Sequence, residues 1–250
     1  MVVLVGLLIP AVAPGVTFQD STLGVKFALN ASDGRTCVIR PSALRNPVAC
    51  EGIKVEAIEA GLPADMRFAA FVIKPDGKTM VVLEVTQNIG NKGPWTKAQT
   101  REFVGGALDR LRERKVRAEL LKTKDGADPI EYRFENKVQV FRYGIESQPA
   151  PIQPFEEMLF YQAVSKENLF TLAFMGDRAH LAANMALGEA TIKTLHAPIT
   201  IDAPSWQEGG ATSVAFRHGA QSVDAALFLL GGLVLIFFFS KSRAAKRPVA

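Results

Sequence analysis

Two cysteines, Cys37 and Cys50, are the first residues in this chain with chemistry of their own. Twelve residues separate them, too many for a CxxC redox pair or a zinc knuckle. In an oxidising compartment a disulfide is favoured. Closing a loop of about 14 residues would then contribute roughly 3 kcal/mol in the chain-entropy account. Two separate buried thiols are the other reading. His180, His196 and His218 lack the clustering that metal chelation needs, and surface or capping positions are expected for all three. Glu156 and Glu157 are adjacent, and a working acid–base pair needs two carboxyls converging from different environments. A solvated loop is expected there. No GxSxG elbow, Walker A loop or GxGxxG fingerprint occurs, so neither a catalytic centre nor a cofactor is expected.

Two further features bear on binding. Arg110, Arg112, Arg114, Lys115 and Arg117 gather at a helix end, where cations complement the macrodipole. The same cluster could meet an anionic lipid or an acidic partner. Trp95 follows the Gly-rich stretch Gly90–Pro94 and precedes a helix. It fits a binding anchor on a loop, and it fits equally the N′ residue of a hydrophobic staple, though its N4 partner would be Thr100.

Hydrophobic periodicity supplies the elements that must hold these residues. Alternation at Val25, Phe27 and Leu29, and at Ile53 and Val55, predicts half-buried strands. Residues 67–73 and 79–86 read as a hairpin across Pro75-Asp76-Gly77. Val116–Leu120, Ile130–Phe134 and Val138–Tyr143 continue the strand pattern, the last two joined through Glu135-Asn136-Lys137. Residues 159–164 and 169–175 form a final hairpin over Ser165–Asn168. Thr96 and Gln99 make a capping box for a helix running to about Lys115. A second helix is expected from Asp177, with Leu181, Met185, Gly188, Ile192 and Leu195 as its apolar stripe.

The two ends carry the signals for location. Residues 223–239 (VDAALFLLGGLVLIFFF) hold only Asp224 as a charge and reach the lower bound of the roughly 17–25 residues that span a bilayer. Lys241, Arg243, Lys246 and Arg247 follow, which predicts a helix running from outside to inside with a cytoplasmic tail at 240–250. Gly231 and Gly232 at its centre would let another helix approach closely. A tail-anchored protein with a cytoplasmic body is the alternative, against the charge rule. Residues 1–15 suit an export signal, with Val2–Ile9 as its apolar region but no preceding cation, or else a first strand of the fold. Residues 198–222 lack periodicity and read as a linker. The net charge is +4, and without the four tail cations the chain carries 25 Lys+Arg against 25 Asp+Glu. A body with no net field offers nothing for nucleic acid.

At the end of the domain, residues 159–164 (LFYQAV), 168–174 (NLFTLAF) and the capped helix from Asp177 to Leu195 resemble the Mog1/PsbP-like superfamily. The resemblance spans residues 16–197 and is one of topology, without a diagnostic motif. It implies an α+β fold with an antiparallel β-sheet flanked by two helices, and a binding or assembly role. With the C-terminal transmembrane helix added, the expectation is a non-catalytic, single-pass accessory or assembly subunit of a membrane complex, its body outside the cytoplasm. Its partners would be the lipid bilayer and other subunits. A membrane-tethered ligand-binding or sensor module and a hydrolase without a recognisable motif are the alternatives.

Overall fold

The computed structural model describes residues 15–198, apart from 32–33, 65, 75–76, 88–93, 114, 124–125, 149–154 and 166–167. The expected transmembrane helix at 223–239, with Gly231 and Gly232, lies outside the described residues, as do the linker beyond Pro198, the tail, His218 and residues 1–14. No helix among the described residues is long and apolar enough to cross a membrane.

A two-stranded hairpin opens the chain: β1 (Val16–Asp20) pairs antiparallel with β2 (Val25–Leu29). β3 (Arg35–Arg40) begins the main sheet and leads through two short 3-10 turns into α1 (Val55–Ala60). β4 (Met66–Lys74) and β5 (Gly77–Gln87) form a hairpin with Lys74 opposite Gly77. α2 (Lys97–Glu113) follows, then β6 (Ala118–Leu120), β7 (Glu131–Glu135), β8 (Val138–Ser147), β9 (Glu157–Val164), β10 (Asn168–Gly176) and α3 (Leu181–Ile192). The sheet runs β3-β4-β5-β10-β9-β8-β6, with β7 also on β8, and every pairing is antiparallel.

The fold is therefore α+β: an antiparallel sheet with a helix on each face. Side chains alternate across a strand, and the sheet sorts them into two cores. One lies under α1 and α2, around Phe103, Leu111, Phe141 and Phe160. The other lies under the β1–β2 hairpin and α3, around Phe27, Phe68, Phe174 and Ile192. β9 and β10 sit at the centre, and β9 is buried along its whole length. A strand covered on both faces reads as a continuous apolar run, which is how residues 159–164 look apart from Gln162.

Two local expectations change. The alternation of Ile53 and Val55 predicts a strand, but Val55 opens α1, whose buried Val55 and Ile58 are spaced at a helical interval. So short a segment holds too few turns of either period to separate them. Arg35–Arg40, for which no strand is expected above, is the edge strand β3, with Cys37, Val38 and Ile39 all buried. The capping box stands: Thr96 N–H donates to Gln99 Oε1 at 2.8 Å, and Gln99 N–H to Thr96 Oγ1 at 3.3 Å.

Cys37 and Cys50 form a disulfide, with their Cα atoms 4.6 Å apart. It ties β3 to the loop that follows it. Arg35 reinforces the same loop by donating to the carbonyls of Val48 and Glu51 at 3.2 and 3.1 Å.

Candidate functional site

Helix α2 lies over the middle of the sheet, and beneath it one row of side chains breaks the apolar pattern. Register places Glu84 of β5 opposite Thr171 of β10, and Thr171 opposite Gln162 of β9. All three are buried. Thr171 Oγ1 donates to Gln162 Oε1 at 2.7 Å, and Gln162 Nε2 donates to the Tyr143 hydroxyl of β8 at 3.5 Å. Burial raises the Tyr143 pKa strongly, so the phenol is neutral. Arg110 acts on it to lower that pKa, and Glu84 to raise it. The helix thus brings one cation to a buried row containing one acid.

An aromatic ladder walls this row. Trp95 stacks on Phe141 at 5.7 Å and meets the edge of Phe103 at 5.5 Å, and Tyr143 stacks between Phe141 and Phe160 at 6.2 and 4.9 Å. Trp95 is only 2% exposed. Its N–H donates to Gln139 Oε1 at 2.8 Å, and its carbonyl accepts from Gln139 Nε2 at 3.1 Å. The binding-anchor reading of Trp95 is therefore corrected: the indole is a core residue. It fastens the start of α2, as a staple would, but its partner is Phe103 rather than the small Thr100.

The arginine cluster also divides. Arg110 turns toward the buried row, with Nε and Nη2 shielded from solvent. Arg112 stays outside and pairs with Asp109 at 2.9 Å, one turn back. Arg117 is exposed beyond the helix, and Arg114 lies outside the described residues. One cationic surface for lipid or an acidic partner is thus not assembled from Arg110, Arg112 and Arg117. A helix presents residues two apart on opposite sides, which separates Arg110 from Arg112. Arg112, Lys115 and Arg117 do line a shallow surface depression with Glu119.

A second groove runs between α2 and the β6–β7 connection. Val104, Gly105, Leu108, Leu120, Pro129 and Ile130 line it, and an ion pair of Arg101 with Asp128 at 2.9 Å crosses its rim.

On the opposite face, Glu189 of α3 is the hub of an ionic lattice. Its oxygens accept from Arg133 at 2.6 Å, Arg142 at 3.0 Å and the Tyr161 hydroxyl at 3.0 Å. Burial alone would raise the Glu189 pKa, but the two guanidiniums and the hydroxyl bond outweigh it and hold the carboxyl below its usual range. Arg142 also pairs with Glu131. The lattice docks α3 on the sheet.

The histidines do not converge. His180 ends a 3-10 turn before α3, and exposed His196 joins β2 through backbone bonds to Lys26 at 2.8 and 2.7 Å. Among the described residues no group of three or more His, Cys, Asp or Glu side chains is placed to hold a metal. Glu157 departs from the solvated loop expected for it: it opens β9 and is 1% exposed. The buried polar row had one signal in the sequence, a lone polar residue inside each apolar run (Glu84, Gln162, Thr171). Only register shows that they are neighbours.

No protein-family model matches the chain, and no curated protein is similar to it in sequence. Among solved structures, the solution structure of cyanobacterial PsbP (CyanoP) from Synechocystis sp. PCC 6803 is similar at 10% identity and a TM-score of 0.43. The match covers 73% of this chain and 92% of that one.

Proposed function

We propose that the chain is a single-pass membrane protein whose α+β domain stands outside the cytoplasm as an accessory or assembly subunit of a membrane complex. The observation that carries this reading is the apolar run 223–239 followed by four cations and no acid. A basic flank of this kind marks the cytoplasmic end of a spanning helix. The Cys37–Cys50 disulfide supports the same side for the body, because such bonds persist in oxidising compartments. The groove between α2 and the β6–β7 connection favours a second reading, a tethered module that binds a ligand with an apolar body.

Two measurements on membranes from expressing cells separate these. Alkaline carbonate should leave the chain in the pellet, and deletion of 223–239 should release it; release of the full chain by carbonate rejects the tether. Purification in mild detergent should then bring a partner at near-equal stoichiometry. A clean monomer discards the assembly role and leaves the ligand-binding module.

A further inference from the structure

Where β8, β9 and β10 end together, two acids and one arginine share a corner. Register sets Glu157 of β9 directly opposite Glu146 of β8 on one side and Gly176 of β10 on the other. Cross-strand partners lie side by side on one face, and like charges there repel. Glu157 is 1% exposed, and neither of its carboxyl oxygens has a hydrogen-bond partner among the described residues. The cation of the corner, Arg178, sits on the 3-10 turn between β10 and α3, and its guanidinium pairs with Glu146. Its backbone N–H donates to Glu156 at 3.1 Å. On β10 the residue opposite Glu157 is Gly176, which has no side chain to offer it. His180, later in the same turn, lies against Gly77 of β5, and Asn184 of α3 hydrogen-bonds Thr79.

We propose that Glu146, Glu157 and Arg178 form a proton-operated latch on the turn that carries the sheet into α3. With a proton on Glu157, the one guanidinium stays on Glu146, and the turn is held closed. Loss of that proton puts two adjacent carboxylates in competition for one cation, and the turn loosens. Burial, with Glu146 adding to it and Arg178 opposing, raises the Glu157 pKa to about 7. The sign follows: the folded state holds this proton more tightly than the unfolded chain. Stability is greatest below the ordinary carboxylate pKa, falls as pH rises toward 7, and levels off above it. On account of Glu157 the turn tightens as pH falls below 7.

The test uses the full chain in detergent and reads amide hydrogen exchange, corrected for intrinsic rates, at Arg178 and His180. Protection is expected to fall by up to about tenfold for each pH unit between the ordinary carboxylate range and the Glu157 pKa of about 7, and to level off above it. In Glu157→Gln that fall should vanish. Should Glu157→Gln fail to fold, carboxyl 13C titration of the wild type and of Glu146→Gln decides. Glu157 should titrate near neutrality in the first and toward the ordinary carboxylate range in the second, where Arg178 is freed to pair with it. Titration of wild-type Glu157 in the ordinary range, or the same loss of protection in Glu157→Gln, would overturn the latch.

Discussion

At Gly188 the backbone of α3 passes so close to Tyr161 that a Cβ there would lie 2.4 Å from a ring carbon and 2.5 Å from the hydroxyl. The ring cannot yield easily, since it packs edge-on against Phe174 at 5.6 Å and bonds Glu189. Gly188→Ala should therefore destabilise the domain by about 1–3 kcal/mol. Gly105 on α2 is the counterexample: a Cβ there meets nothing within 4 Å. Gly105→Ala should stabilise by up to about 1 kcal/mol through helix propensity. Urea midpoints that move in opposite directions check both, and shifts of the same sign refute the packing argument. Neither glycine announces its role in sequence. Gly188 occupies a stripe position that looks like any small core residue, and the tyrosine that requires it lies on another strand.

Elements were legible where their chemistry is local. The capping box at Thr96 and Gln99 placed the start of α2, because both of its hydrogen bonds lie within four residues. The end of the same helix uses Lys115 in the left-handed region at φ 61°. Lys115 N–H donates to Arg112 O at 2.8 Å, and Val116 N–H to Leu111 O at 2.9 Å, the bond pair of a Schellman motif. Glycine is the usual residue in that conformation, so Lys115→Gly should stabilise by about 0.5–1 kcal/mol. A thermal midpoint that falls would show that the lysine has a contact of its own. α1 and β3 escaped the periodicity reading for related reasons. α1 is shorter than two turns, and β3 is buried on both faces over Cys37–Ile39, so neither displays its period.

For the molecule as a whole, the disulfide closes a separation of 13 residues between an edge strand and its following loop. Replacing both cysteines with serine should lower global stability by about 3 kcal/mol in the chain-entropy account. Denaturant unfolding of oxidised wild type against the double variant measures it, and an unchanged midpoint would show that the loop is held by Arg35 and its neighbours alone. The sequence by itself determined most of the strands, the two longer helices, the capped start of α2 and the asymmetric charge of the tail, since each depends on residues near one another in the chain. Tertiary structure alone decided that Trp95 is interior, that Arg110 faces a buried row, and that Glu146 and Glu157 stand side by side. Those facts follow from strand register and from which face a helix covers, and both are set by contacts between residues far apart in the chain.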